Sequence, residues 1–160
     1  MKLLSLAINL RDRTVNNREP DRIIGEKTDP YLKRWYILPR NLFFNVYLHH
    51  FLRSDDDRVL HDHPWLNCSF LIDGSYIEHT IEAGGVHKAT RRIAGDLKLR
   101  RARYAHRIEL DRGECWTIFI TGPRIREWGF HCQKKWVSWR LFTNPLDGGA
   151  TTGTGCGENG

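Results

Sequence analysis

From about residue 43 onward, the sequence consists of short runs rich in β-branched and aromatic residues, and turn signals such as Asp73-Gly74 and Gly84-Gly85 separate them. The runs start about ten residues apart, a spacing typical of β-sandwiches and closed barrels. No long stretch shows the 3.6-residue period of an amphipathic helix. We therefore predict an all-β fold. The predicted strands are 43–52, 57–62, 66–72, 75–82, 86–93, 96–101, 105–110, 115–121, 126–132 and 136–142.

The two ends of the chain lack this pattern. Residues 1–35 are mixed and polar, so we predict an irregular N-terminal arm that holds one short strand or helix. Residues 147–160 are mostly Gly and Thr and contain no core-forming residue, which predicts a disordered tail. A length of 160 residues fits one domain. We place that single domain at residues 1–146.

The chain is basic, with a net charge of +6 and a pI of about 9.4. A positive balance attracts anions such as acidic small molecules, phosphates or nucleic acid, without choosing among them. The basic residues cluster at 88–92 and 98–103. These clusters are either solvated strand faces or a rim that attracts an anionic substrate. No nucleic-acid-binding motif is present, so a nucleic-acid partner would rest on charge alone.

Cysteine usage and hydropathy bear on the compartment. Cys68, Cys115, Cys132 and Cys156 form no C-x-x-C pair, which argues against a structural zinc site. Charged residues from Arg11 onward interrupt the N-terminal apolar run too early for a signal peptide. No stretch approaches 18 apolar residues, so we predict no membrane span. We therefore expect a cytoplasmic protein with reduced thiols.

The strongest local signal is the pair His61 and His63, followed by Pro64. Two histidines at positions i and i+2 of a strand point to the same face. His106 begins another predicted strand, about 40 residues later. Three imidazoles from two strands can meet at one interior point of a small barrel. We therefore predict that His61, His63 and His106 bind a divalent metal ion.

The remaining histidines compete less well for this role. His49 and His50 are adjacent, so they face opposite sides of a strand. His79 and His87 flank the Gly84-Gly85 turn and are predicted on the surface. His131 lies in an aromatic run and is predicted in the core, behind the metal ligands or in the pocket.

Three neutral imidazoles leave coordination positions open for water, substrate or dioxygen. Imidazole ligands suit iron, zinc, nickel or copper, and the sequence does not choose among these metals. We expect Fe(II), with Zn, Ni and Mn as alternatives.

At these residues the chain resembles the cupin superfamily, whose first motif reads Gly, five residues, His-x-His, a few residues, Glu, six residues, Gly. His61, His63 and Gly74 fit this motif, and Asn67 occupies the position of the glutamate. The second cupin motif supplies one further histidine, which His106 matches. The resemblance implies a small double-stranded β-helix, or jelly-roll, barrel with a metal site that lacks the carboxylate ligand.

Within the cupins, the chain is similar in patches to the thiol dioxygenases, such as cysteine dioxygenase. The matching segments are His61-Asp62-His63 with Cys68-Ser69-Phe70-Leu71, Tyr36 with Arg40-Asn41-Leu42, Phe44-Asn45-Val46, and His106-Arg107-Ile108-Glu109.

This second resemblance implies Fe(II) on three histidines and a substrate carboxylate bound by Arg40. Cys68 would match the cysteine that is crosslinked to a tyrosine in those enzymes. The chain departs from the family over residues 115–121, where the Ser-x-His-x-Tyr stretch is missing and Thr117 lies in its place.

Three functional hypotheses follow. The first is a non-haem Fe(II) oxygenase for a small anionic substrate, with Arg40 binding the anion and Tyr36 or Tyr104 hydrogen-bonding the bound oxygen species. The second is a metal-dependent isomerase, hydrolase or lyase in which Asp62 or Glu109 acts as a base. The third is a non-catalytic binding module for sugar or nucleic acid, based on the late tryptophans. A homodimer is possible on fold-level analogy alone.

Overall fold

The structure is a computed structural model that describes residues 2–26, 28–55, 59–147, 149 and 151–157. The first residues of the predicted strand 57–62 fall outside this range. All named strand pairs are antiparallel, and the strands form two layers.

The first layer is a six-stranded sheet with the order β1-β2-β3-β10-β5-β8. Its strands are β1 (Arg22–Gly25), β2 (Pro30–Tyr36), β3 (Asn45–Phe51), β10 (Cys115–Thr121), β5 (Asn67–Asp73) and β8 (Leu97–Arg100). The predicted strands 66–72 and 115–121 match β5 and β10 within one residue.

The second layer combines two three-stranded sheets, β7-β6-β9 and β12-β11-β4. Their strands are β7 (His87–Ile93), β6 (Ser75–Ile81), β9 (Arg107–Leu110), β12 (Trp136–Ser138), β11 (Gly129–His131) and β4 (Leu60–His61). An isolated β-bridge between His61 and His106 joins the two sheets. The metal ligands predicted from the sequence therefore lie where the two sheets meet.

Apolar side chains from both layers pack together between them. Leu32, Phe51 and Leu71 come from the six-stranded sheet, whereas Tyr76 and Ile108 come from the opposing layer. All five are at most 8% exposed. The main core of the domain is thus enclosed by two facing sheets, as in a jelly roll.

The Asp73-Gly74 turn connects one layer to the other, and here a glycine is required. Gly74 has φ of +79°, and a Cβ atom at this position would lie 2.4 Å from the carbonyl oxygen of Glu114. Both the left-handed backbone and the close approach exclude other residues. This glycine allows β5 to turn directly into β6.

The N-terminal region is more ordered than predicted. In place of an irregular arm with one short element, it contains helix α1 (Lys2–Asn17) and strands β1 and β2. Ala7 and Leu4 of the helix pack on Trp35 and Leu48, on the sheet face that points away from the core. The helix therefore needs only a narrow apolar stripe, which an otherwise polar sequence conceals.

The predicted strand 136–142 is wrong in its second half. β12 ends at Ser138, and helix α2 (Trp139–Phe142) follows. The Ser138 side chain accepts a hydrogen bond from the Arg140 backbone N–H at 3.4 Å, which is the role of an N-cap. This serine signal overrides the aromatic run that favoured a strand.

The C-terminal segment has defined contacts where the structure describes it. A disulfide joins Cys132 to Cys156, so the expectation of reduced thiols is wrong for these two cysteines. The backbone N–H of Gly153 donates to the Phe142 carbonyl at 2.9 Å, and Thr152 forms a β-bridge with Thr143. The disulfide partners are 24 residues apart, so the sequence carries no local signal for this pairing. Among the described residues, no helix is long and apolar enough to cross a membrane.

Candidate metal centre and arginine-lined cavity

A cavity of about 590 Å³ lies between the two layers. Cavities of a few hundred Å³ are the usual size of small-molecule sites. Its lining includes aromatic side chains from both layers and five arginines, which are Arg22, Arg34, Arg40, Arg100 and Arg124. Among the described lining residues, Asp55 is the only one with a carboxylate. The cavity is therefore both aromatic and electropositive.

The three predicted histidines meet in this cavity. His61, His63 and His106 each offer one nitrogen, and the three nitrogens lie within 4.8 Å of one another. The Nε2 atoms of His63 and His106 are 2.9 Å apart. Among the described residues, this is the one group of His, Cys, Asp or Glu side chains arranged to hold a metal ion. Neutral imidazoles in such an arrangement are the ligands of iron, zinc or copper sites.

Backbone hydrogen bonds fix the relative positions of the three ligands. His61 and His106 exchange two N–H···O=C bonds, both 2.9 Å long. The His63 N–H donates to the carbonyl of Ala102 at 3.0 Å. Main-chain hydrogen bonds therefore fix the backbone at each of the three ligands.

Two of the three ligands, His63 and His106, are held in the neutral form that a metal requires. Burial lowers the pKa of His106 to about 4, and it also lowers the pKa of His63 far below its ordinary value. The nearby positive charges of Arg100 and Arg34 act on His63 in the same direction. A neutral imidazole keeps one nitrogen lone pair for a cation.

Glu78 stands behind His106 and was not predicted from the sequence. Its Oε1 atom lies 3.3 Å from the Nδ1 atom of His106, and its side chain is only 1% exposed. Burial alone would raise the pKa of Glu78, but the neighbouring His106 and Arg100 hold it far below the ordinary value. A carboxylate on the far nitrogen of a histidine orients the ring and raises its basicity as a ligand.

Arg100 and Arg92 neutralise Glu78. The Arg100 Nη2 atom lies 2.6 Å from Glu78 Oε1, and Arg100 Nη1 donates to Ser69 Oγ at 2.7 Å. The Arg92 Nη2 atom lies 3.0 Å from Glu78 Oε2. Because Arg100 is buried at 2% exposure, the reading of its cluster as a solvated face is wrong for this residue. The only sequence signal for the inward position of Glu78 is strand alternation, because Tyr76 and Glu78 lie on the same face of β6.

Asp62 follows strand β4 and points away from the cavity that its two neighbouring histidines line. Its carboxylate accepts hydrogen bonds from Gly129 N at 2.9 Å and Trp136 Nε1 at 3.1 Å. Its Oδ2 atom also lies 3.1 Å from His131 Nε2 and 2.8 Å from Arg126 Nη1. Although burial acts in the opposite direction, these bonds hold the pKa of Asp62 below its ordinary value. Asp62 therefore anchors the strand from behind and does not reach the cavity.

Two other carboxylates are also engaged. Asp55 accepts hydrogen bonds from the Tyr31 hydroxyl and from Ile108 N, the latter at 2.7 Å. Its Oδ2 atom lies 3.8 Å from His61 Nδ1. Glu109 pairs with Arg107 at 3.2 Å and does not line the cavity. Of these two residues only Asp55 lines the cavity, and each of its oxygens already accepts a hydrogen bond.

Arg34 is the second residue that the sequence did not indicate. It projects from β2 into the cavity, and its Nε donates to His49 Nε2 at 2.8 Å. Its guanidinium carbon lies 4.9 Å from the centre of the Tyr47 ring. Burial lowers the pKa of Arg34 to about 10, and no carboxylate among the described residues forms an ion pair with it.

The three predicted catalytic residues separate in the structure. Tyr36 and Arg40 both line the cavity, and the Arg40 guanidinium lies 5.7 Å from the Tyr36 ring centre. Tyr104 does not line it but faces a basic surface groove with Lys98, whose Nζ lies 5.0 Å from the Tyr104 ring centre. The Tyr104 ring centre nevertheless lies 6.2 Å from that of His106, so its role stays a prediction.

The structure also shows where Cys68 and Asn67 lie, the two residues that the family resemblances singled out. Cys68 pairs in register with Leu99 and Ile120, both exposed, on the outer face of the sheet. It cannot contribute a crosslink inside the cavity. Asn67 faces inward but is buried beside the cavity without lining it. The site thus has no carboxylate or amide ligand at the position of the cupin glutamate.

Comparisons with known proteins support the fold rather than a particular function. No protein-family model and no curated protein match the sequence. The structure resembles an uncharacterized conserved protein with a double-stranded β-helix domain from Klebsiella pneumoniae, at 14% identity and a TM-score of 0.52. That match covers 69% of this chain and 92% of the other.

Fe(II)-HppE with an alternative substrate is a second similar structure, at 13% identity and a TM-score of 0.50, over 65% of this chain and 58% of the other. A cupin superfamily protein from Desulfitobacterium hafniense matches at 10% identity with a TM-score of 0.47, over 67% and 83% of the two chains. Together with the two facing antiparallel layers, the two likenesses with TM-scores of 0.52 and 0.50 show a double-stranded β-helix fold. This is the fold that the resemblance of the sequence to cupins implies.

Proposed function

We propose that this protein is a non-haem Fe(II) oxygenase that acts on a small anionic organic substrate. His61, His63 and His106 would hold the metal ion. The observation that carries the proposal is the convergence of three imidazoles within 4.8 Å in a cavity whose charged lining is almost entirely arginine.

The chemistry of the donor set fits iron. His63 and His106, whose pKa values are lowered by burial, supply neutral nitrogen ligands beside His61, and Glu78 supports His106 from behind. When bound, Fe(II) on three histidines would provide redox chemistry with dioxygen at its open coordination positions. The chain's own residues bind and orient the substrate. The aromatic lining excludes water, and the arginines attract the anion.

The same lining favours an oxygenase over a non-redox enzyme. An isomerase, hydrolase or lyase needs a side chain that takes up a proton near the metal. The two bases predicted from the sequence, Asp62 and Glu109, both lie outside the cavity. Asp55 lines the cavity, but the Tyr31 hydroxyl and the Ile108 N–H occupy its oxygens.

The resemblance to thiol dioxygenases supports Fe(II) as the metal and oxidation as the reaction. It supports a thiol as the substrate less strongly. Cys68, which would match the crosslinking cysteine, lies on the outer face of the sheet. Thr117 and Phe119 stand inside the cavity, in the stretch where that family has its histidine and tyrosine. We therefore propose an anionic substrate without restricting it to thiols.

Oxygen consumption tests this proposal. Protein loaded anaerobically with Fe(II) should consume dioxygen in the presence of at least one member of a panel of carboxylates, sulfonates and thiols. Zinc-loaded protein and the His63→Ala variant should consume none, while His87→Ala, outside the cavity, should behave as wild type. Turnover by the zinc-loaded protein without oxygen uptake would establish a non-redox enzyme instead. Tight binding without any turnover would establish a binding module.

A further inference from the structure

The inner face of the six-stranded sheet presents an arginine that no carboxylate of the described residues neutralises. Arg34 stands in β2, in register with Arg22 of β1 and His49 of β3, and all three line the cavity. His49 is buried and accepts the Arg34 Nε–H, so it remains neutral and offers no compensating charge. The charge of Arg22 acts on Arg34 in the unfavourable direction.

A buried guanidinium is costly unless it is paired with an anion. The Nε of Arg34 is occupied by His49, so the two terminal Nη groups remain as a fork. Such a fork matches the two oxygens of a carboxylate in a bidentate pair.

Aromatic rings flank this row of residues. The neighbouring row on the same face consists of Tyr36, Tyr47 and Phe119, which are paired in register across β2, β3 and β10. Tyr47 stacks on His49 with ring centres 5.8 Å apart, and Phe119 stacks on His49 at 5.2 Å. A ligand held at Arg34 thus lies against ring faces.

The aromatic surface leads from Arg34 to the metal ligands. The Phe119 ring centre lies 5.7 Å from that of His63, so one ring separates His49 from the triad. The charge of Arg34 also acts on His63. When the anionic group of a small molecule binds Arg34, the rest of that molecule therefore extends along the Phe119 ring toward His63.

We propose that Arg34, rather than Arg40, binds the carboxylate of the substrate, and that the substrate is a single-ring aromatic carboxylic acid. The assignment of this ligand as a substrate rests on the proposed oxygenase function. Arg40 is exposed and lies on the Tyr36 ring at the edge of the same row, where solvent screens its charge.

Calorimetric titration of the full-length protein with benzoate tests the proposal, with both the iron-loaded and the metal-free protein. Wild type should bind benzoate, and the uncharged analogue benzamide should bind at least about tenfold more weakly. Arg34→Gln should weaken benzoate binding about 10- to 100-fold, the range for a charged hydrogen-bonded pair. Arg34→Lys should fall between the two, because it keeps the charge and loses the fork.

Lys33→Gln is the matched control, since Lys33 is the neighbouring cation on β2 and points to the opposite face, in register with His50. It should bind benzoate like wild type, and the unfolding midpoints of all variants show whether they are folded. Equal benzoate affinity in wild type and both Arg34 variants would overturn the role of Arg34. Equal affinity for benzoate and cyclohexanecarboxylate would overturn the aromatic class, and no binding by wild type would overturn both.

Iron content, measured on the same samples, separates this inference from the proposed function. Benzoate binding that depends on Arg34 in a protein that binds no iron would contradict the oxygenase and leave the anion site intact. Stoichiometric iron with no benzoate binding would contradict the anion site at Arg34 and leave the metal centre of the proposed oxygenase intact.

Discussion

Two arginines line the same cavity from strands near opposite edges of the six-stranded sheet, and their surroundings differ. Arg100, on the edge strand β8, lies against the buried carboxylate of Glu78 at 2.6 Å and donates to Ser69. Arg34, on β2, has a neutral histidine and an aromatic ring as its neighbours. Within the part of the chain that the structure describes, a carboxylate compensates the charge of Arg100 and none compensates that of Arg34.

This difference separates a structural charge from a binding charge. Arg100 and Glu78 hold His106 in place, so their charges serve the geometry of the metal ligand. Arg34 is partly buried and has no carboxylate partner among the described residues, which is what a site for an external anion requires. Arginines that line one cavity should therefore be compared by their partners, because all of them appear alike in a list of basic residues.

The largest expected effect comes from removing the carboxylate of the compensated pair. Glu78→Gln leaves the buried Arg100 without an anion, which should lower the free energy of unfolding by about 3–5 kcal/mol. Loss of the support behind His106 should also weaken metal binding about 10- to 100-fold. Chemical denaturation and metal titration measure the two effects.

Glu109→Gln provides the control for this change, because its partly exposed ion pair with Arg107 should contribute less than about 1 kcal/mol. If Glu78→Gln and Glu109→Gln proved equally mild, the buried pair would not be a structural charge.

An intermediate change in the free energy of unfolding is expected at the disulfide. Because the disulfide contacts neither arginine, this change is a reference against which the effects at both arginines are compared. Cys156→Ser opens a covalent link between residues 24 positions apart and should lower the free energy of unfolding by about 2–4 kcal/mol. Cys68→Ser, at a free cysteine, should change it by less than about 1 kcal/mol. Denaturation of both variants without reductant measures the difference, and equal values would show that the link does not form.

The smallest expected effect on stability is at the uncompensated arginine. Arg34→Met removes a charge without a carboxylate partner among the described residues. In the absence of ligand, the free energy of unfolding should therefore change by no more than about 1 kcal/mol, or should rise. Arg100→Met should instead destabilise strongly, because it removes the closest cation from the buried Glu78, which then keeps only Arg92 and His106 among its described partners. A loss at Arg34→Met as large as that at Arg100→Met would erase the distinction between the two arginines.

Local patterns predicted much of this molecule. The alternation in β5 and β10 and the turn at Gly74 follow from neighbouring residues, so their bounds come out nearly right. The three metal ligands were predicted because the i, i+2 spacing of an extended segment puts His61 and His63 on one face, and because His106 begins another candidate strand. The structure brings all three together.

The residues that surround the ligands depend on strand pairing, which the sequence does not display. Glu78 reaches His106 because β6 pairs with β9, and Arg34 reaches His49 because β2 pairs with β3. Alternation alone places Arg34 on the same face as Leu32 and Tyr36, but β2 was taken for an irregular arm. Helix α1 and the link between Cys132 and Cys156 were missed for the same reason, since their stabilising contacts are distant in sequence.

The most direct test of the central claim is the iron content of purified protein after anaerobic loading with Fe(II), measured beside His61→Ala, His106→Ala and the control His87→Ala. We predict close to one iron per chain in wild type and in His87→Ala, and loss of iron in both triad variants. Iron retained by the triad variants, or absent from wild type, would contradict a metal centre built on these three histidines.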